Sequence, residues 1–219
     1  MTAIATRLLK PQTGMVLLLC LILLTALTLL GLSATADTIL QNQLSANLQE
    51  TERAKQSAQA TLEWAENWLL GQDGPAPQPW TPAAEGLHLH TPGDLPPHPE
   101  FKSFSWWSNQ GHEAGIEPYT GKRTAIISGG SDNPPSWIIE AVHSIPPGRN
   151  STGYLQVWYR ILARGSGPGD AVISVVESVL VRSWPPADDH ESSREEFSNT
   201  CPGSGASKKC GRVSWRELR

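Results

Sequence analysis

The chain has 219 residues, of which 17% are charged, and a formal net charge of −4. That length suits one soluble domain plus a membrane segment. The acidic balance argues against a nucleic-acid partner, because phosphate binding needs a basic surface, and against a polybasic membrane-surface protein. The 18 prolines and 19 glycines call for long connections.

The first predicted element is a membrane helix. Residues Pro11 to Ala36 carry no charge, and the core of this run, Met15 to Leu32, reads MVLLLCLILLTALTLLGL. It is long enough to cross a bilayer as a helix, which needs about 20 apolar residues. Arg7 and Lys10 precede it and every acidic residue follows it, so the positive-inside rule keeps the N-terminus cytoplasmic and exports the rest. Three readings of this segment stand side by side. A secretory signal would end at the Ala34-Thr35-Ala36 motif. A lipoprotein signal would end at Cys20, but Leu19 is large where a small residue is wanted and the apolar run continues. A prepilin leader would end after Gly14 and leave the helix on the mature chain.

The next segment continues the helix. Between Asp37 and Leu70 the residues Leu40, Leu44, Leu48, Thr51, Ala54, Ala58, Leu62, Ala65 and Leu69 recur every three or four positions, which is one stripe on a helix. Gly71, Gly74 and Pro75 terminate it. One helix is therefore expected from about residue 15 to 70, apolar all round in its first half and amphipathic in its second. A cleaved signal has no need to join an amphipathic helix in phase.

Residues 71–99 are rich in Pro and Gly and read as a connection with little regular structure. His88, His90 and His98, with Asp94 or Glu100, are the candidate metal ligands there. The prolines between them favour solvated loop histidines, and no metal is assigned. The stretch FKSFSWWSNQ that follows reads as strand or irregular. Trp106, Trp107, Trp80, Trp137 and Trp158 are read as packing residues, with stacking on a sugar or partner as the alternative. Strands are expected over Trp137–His143, Tyr154–Arg164 and Ala171–Arg182. In the second, Leu155, Val157, Tyr159, Ile161 and Ala163 alternate with Gln156, Arg160 and Arg164. Asn150–Gly153 and Gly165–Asp170 join the three as turns, the latter lacking the Lys-Ser/Thr of a phosphate loop. A three-strand antiparallel meander would cover the stripe of the helix, an α+β architecture.

Residues 183–219 are polar and hold Cys201 and Cys210, spaced by small and polar residues. They read as a disulfide in an oxidising compartment, with a two-thiol zinc site as the rival. No G-x-S-x-G occurs and no catalytic function is expected.

Taken together, several stretches resemble PilX-type minor pilins of type IV pilus assembly. They are Thr13-Gly14-Met15-Val16-Leu17-Leu18-Leu19, Leu29–Ala34, and Leu40, Asn42, Leu44 and Ala46-Asn47-Leu48 leading into Ala54–Ala60. Tyr159–Gly165 with Ala171-Val172 and Glu177-Ser178-Val179 resembles the family's C-terminal strand pair, and Val213–Leu218 its tail. The N-terminal likeness covers about 50 residues. It implies a pilin-like fold with a leader (1–14), a membrane or filament-core helix (15–36), its amphipathic continuation (37–70) and a globular head (71–219). It implies cleavage after Gly14 by prepilin peptidase and N-methylation of Met15. In the membrane helix, Met15, Leu19, Leu24, Leu30 and Leu32 would face lipid or filament core, and Leu40, Leu44, Leu48, Ala54, Ala58, Leu62 and Leu69 would form the packing stripe. A disulfide-bounded C-terminal region between Cys201 and Cys210 is implied as well. The implied partners are other minor pilins, the major pilin, the inner-membrane assembly platform, prepilin peptidase and a PilY-type tip adhesin, with no cofactor. The implied location is the bacterial inner membrane, with the C-terminal domain in the periplasm, and the assembled pilus. Leu19 departs from the glutamate that many pilins carry at the fifth mature position, a departure compatible with a subunit at the tip. A type II secretion pseudopilin shares the architecture, and a periplasmic binding protein cleaved after Ala36 is the reading from another class.

Overall fold

The structure, a computed structural model, describes residues 15–72, 76–77, 86–126, 130, 132–146, 155–184 and 211–218. The chain forms two compact units, divided between Leu48 and Gln49. Helix α1 runs unbroken from Met15 to Leu70, as the apolar run and the in-phase stripe require. It stops where Gly71 donates its backbone N–H to the Asn67 carbonyl at 2.9 Å, a helix end of the kind glycine favours.

In the C-terminal unit the order after α1 is β1 (Leu89–His90), a single 3₁₀ turn, α2 (Phe104–Gln110), β2 (His112–Glu113), β3 (Ser136–Ile145), β4 (Leu155–Ser166), β5 (Ile173–Trp184) and β6 (Gly211–Glu217). The sheet order is β1-β3-β4-β5-β6, with β2 also paired to β3. The β3-β4-β5 meander is antiparallel, as expected, and β6 extends it antiparallel. β1 pairs parallel to β3, so the sheet is mixed rather than wholly antiparallel.

Alternation along the meander sorts two cores. On one face Trp137, Ile139, Val157, Tyr159, Ile161, Ala163, Val176, Leu180 and Trp184 pack with Ala58, Leu62, Ala65 and Leu69 of α1. On the other, Ile138, Leu162 and Val175 meet Trp107 of α2, with Leu95, Trp106 and Leu218 around them. The stripe read from the sequence is therefore covered from Ala54 onward, while Leu40, Leu44 and Leu48 are exposed.

Small residues set the spacing of helix and sheet. Ala54, Ser57, Ala58 and Thr61 are fully buried. A Cβ on Gly165 would lie 2.6 Å from the Ala54 carbonyl oxygen and closer still to the Ala58 amide, and one on Gly167 would lie 2.9 Å from the Glu50 carbonyl. The end of β4 thus crosses the helix backbone without a side chain between them. Gly165 and Ser166 belong to the strand, and the turn beyond closes through Gly167 N–H to Val172 carbonyl and Asp170 N–H to Gly167 carbonyl, both at 3.0 Å.

One expectation is corrected, and two details are added. The stretch after Lys102 is helical at Phe104–Gln110, because the Ser103 hydroxyl caps the Trp106 N–H and Trp107 is drawn onto the sheet. Gly111 ends α2 where any side chain would collide with the Trp137 carbonyl. The Pro-rich stretch includes a short strand, since Leu87 and Leu89 bury beside β3. The polar C-terminal stretch holds β6. Cys201 and Cys210, Trp80 and the turn Asn150–Gly153 lie outside the described residues.

Substituting Gly165 by Ala should cost about 1–3 kcal/mol, the usual range for overpacking, because the helix backbone rather than a movable side chain blocks the methyl. Gly169→Ala, whose Cβ meets only the end of the Glu50 side chain at 3.3 Å, should fall within about 1 kcal/mol of wild type. Urea unfolding of both variants checks the contrast.

Candidate functional site

The N-terminal half of α1 is the most distinctive surface. From Met15 to Leu48 its large apolar residues are between 54% and 78% exposed, Met15, Leu19, Leu24, Leu30, Leu32, Leu40, Leu44 and Leu48 among them. Its most apolar 18-residue window has a mean hydropathy of 2.8 with none of it buried, long and apolar enough to cross a membrane. Its four threonine hydroxyls are satisfied within the helix. Thr25, Thr28 and Thr35 donate to the carbonyls of Ile22, Thr25 and Leu32, each at 2.8 Å, and Thr38 donates to Ala34 at 2.9 Å. Such back-bonding removes the cost of an unpaired donor in hydrocarbon. The helix passes through Ala34–Ala36 without a break. Gly14 lies outside the described residues.

Farther along α1, Glu66 interrupts the inward stripe. It is buried on the sheet face, where the Ser178 hydroxyl donates to it at 2.6 Å. The Arg212 guanidinium of β6 binds it through two nitrogens at 2.9 and 2.6 Å. One carboxylate therefore ties the helix to two strands, and that pairing raises the Arg212 pKa further. Lys55 adds a second helix-to-β6 ion pair, 3.1 Å from Glu217. Sequence reading missed Glu66; its signal is an acid one turn after Leu62 on a stripe that should be apolar.

The opposite sheet face carries charge where the alternation predicted solvent. Arg160 reaches Glu177 at 2.7 Å and Glu140 at 3.4 Å, and Arg216 reaches Glu177 at 2.9 Å. Both glutamates are buried. Arg164 is buried too, its guanidinium 5.4 Å from the Phe104 ring centre, because α2 covers this side.

The histidines divide. His88 donates its backbone N–H to His112 Nε2 at 2.8 Å, and the two rings lie 4.9 Å apart. His90 Nε2 sits 2.6 Å from the Gln110 carbonyl. His98 pairs with Glu100 at 3.0 Å and Asp94 caps Thr91. Among the described residues no three such groups converge as a metal-ligand set. His112 also stacks on Trp137, which packs on Trp64 and Trp68 of α1, so Trp137 is a core residue. Burial, and then the neighbouring His88 and His90, lower the His112 pKa to about 4. A cleft of about 240 Å³ beside Gly115 and Pro135 is lined by the charged residues Glu113, Arg123 and Asp132, the first two paired at 3.5 Å.

No protein-family model matches the chain, and neither a curated protein nor a solved structure matches it.

Two outcomes follow for the C-terminal unit. Glu66→Ala should lose roughly 2–3 kcal/mol, since it strands a buried hydroxyl and a partly exposed guanidinium. Glu66→Gln, which keeps the Ser178 bond, should lose about half of that. Denaturant unfolding measures both. His112 is neutral when folded, with a pKa below its unfolded value of about 6.5. Its contribution is present above pH 6.5 and is lost as pH falls toward 4, amounting to about 1–3 kcal/mol. His112→Gln, which retains an acceptor for His88, should flatten that slope in unfolding curves taken across the same window.

Proposed function

We propose that this chain is a minor pilin, held in the inner membrane by Met15–Leu32 of α1 and incorporated by an assembly platform into a type IV pilus. The observation that carries this reading is the single continuous helix Met15–Leu70. Its first part, Met15–Leu32, is charge-free and exposes a run of large apolar side chains, and from Ala54 to Leu69 it is the spine of an α+β head. A membrane-stored subunit that later enters a filament needs this division: lipid, and then neighbouring helices, cover the first half. Leu40, Leu44 and Leu48, exposed in the single chain, are the side chains such neighbours would cover. The protein acts in this reading through packing, alongside other minor pilins, the major pilin and a PilY-type adhesin, and it supports adhesion or motility.

The leader would end at Gly14, because a peptidase that approaches the backbone closely leaves no room for a side chain there. Its removal takes Arg7 and Lys10 away, so the 17 basic residues fall to 15 against 21 acidic ones, a net charge of −6. Leu19 in place of an acid removes a partner for a neighbour's N-terminal amine. Burying that amine unpaired is costly, which suits a position at or near the tip.

Intact-mass analysis and N-terminal sequencing of the protein from its own host test the reading. The expected result is a start at N-methylated Met15, with Gly14→Val leaving the leader attached. A start at Asp37 would mean that a signal peptidase removes the apolar helix, and the protein would then be a periplasmic one. A methylated start combined with failed protein secretion, and intact pili, on loss of the gene would assign it to a secretion pseudopilus.

A further inference from the structure

Three histidines cross-link the segment that carries β1 to the segment that carries β2. The His88 backbone N–H donates to His112 Nε2 at 2.8 Å, and His90 Nε2 donates to the Gln110 carbonyl at 2.6 Å. A backbone N–H can only donate, so His112 Nε2 is bare and the neutral ring carries its proton on Nδ1. The ring is wedged in place. It lies 4.9 Å from the His88 ring and 5.1 Å from that of Trp137, which Trp64 and Trp68 of α1 support from behind. Among the described residues the charges that act on His112 are those of His88 and His90, and no carboxylate offsets a proton there. The nearby acids are engaged elsewhere: Glu113 with Arg123, Glu140 with Arg160, and Glu117 with the Trp68 indole.

What these bonds hold is small. β1 pairs with β3 at only two residues, whereas the β3-β4 and β4-β5 ladders run over nine and twelve. Leu87 and Leu89 are its buried apolar anchors. We propose that this histidine cluster is an acid-operated latch: a proton on His112 Nε2 breaks the bond to the His88 amide and frees Leu87–His90 from β3 while the meander stays folded. The proton takes the place of the amide hydrogen, and the new cation faces two more imidazoles. Opening so short an element costs far less than unfolding the long ladders. Release uncovers the β3 edge at Ile139 and Glu140 and the flank of Trp137, so acid presents an apolar surface that neutral pH conceals.

The pH window follows from linkage. Burial, and then His88 and His90, lower the His112 pKa to about 4 while β1 is seated, and on release it returns toward about 6.5. The closed form is therefore favoured above pH 6.5, and its advantage is lost as pH falls toward 4. His112 alone raises the open-to-closed ratio by up to roughly 50-fold between pH 7 and 4.5. His88, lowered by burial and then by His90, takes up a proton on release as well and steepens the dependence. The inference concerns the head and holds whether or not α1 enters a filament.

The test is hydrogen exchange of the full-length chain in detergent micelles, resolved to single amides and corrected for the intrinsic pH dependence of exchange. Between pH 7 and 4.5 the protection of the His88 amide should fall at least about tenfold. Ile161 and Val176, in the centre of the meander, should change by less than about threefold. In His112→Gln, whose side-chain oxygen accepts from His88 without titrating, the fall at His88 should shrink to less than about threefold. A His88 amide equally protected at both pH values in the wild-type chain would overturn the latch. So would an equal loss at Ile161 and Val176, which is acid unfolding of the whole head, or a fall that persists undiminished in His112→Gln, which assigns the effect to another group. The wild-type profile decides the first two outcomes by itself, so the proposal stays open to refutation even where the variant folds poorly.

Discussion

The C-terminal unit is organised around one close contact, the crossing of β4 over the backbone of α1 at Ala54 and Ala58. Gly165 and Gly167 supply no side chains there, and the buried helix residues opposite are Ala, Ser and Thr. Apolar burial alone would allow helix and sheet to slide over each other, since it is nearly indifferent to register. Backbone against backbone is not indifferent, because only a few positions admit it. Once β4 is seated, β3 and β5 follow through their ladders and the alternating residues of the meander meet Leu62, Ala65 and Leu69.

Polar groups refine this arrangement where apolar packing ends. Glu66 is a buried helix side chain whose carboxylate collects Ser178 and Arg212. A buried ion pair adds little net stability when complete and costs much when broken. Its effect is to make one seating of β6 better than its neighbours. The same holds on the far face, where Glu177 accepts from Arg160 and Arg216. Both networks end on β6, a strand whose residues after Gly211 are all exposed.

The upper and lower parts of α1 show how one helix can serve two environments. Continuous hydrogen bonding means that the backbone needs nothing from outside, so only side chains decide what surrounds each turn. From Met15 to Leu32 they are apolar enough for a membrane span, and from Ala54 they pack on a sheet. Gly31, inside the first part, meets nothing within 4 Å.

Much of this was open to a reader of the residues. The helix and its end at Gly71 follow from charge-free composition, a three-to-four-residue period and a glycine, all of them local causes. The meander follows from the two-residue period of Leu155–Ala163 and the glycines after it. What tertiary structure alone decided depends on residues far apart in the chain. Arg164 occupies a polar position of that alternation, yet it is buried because α2 happens to lie there. Trp107 became helical and β6 became a strand because distant surfaces accept them, with only Val213 and Trp215 alternating with Arg212, Ser214 and Arg216 to announce the strand. Leu40 and Leu62 look alike on the stripe, and only the position of the sheet makes one exposed and the other core. Short-range patterns specify which face of an element is apolar. Which apolar face finds a partner within the chain, and which is left for something outside it, is settled by where β4 can touch the helix.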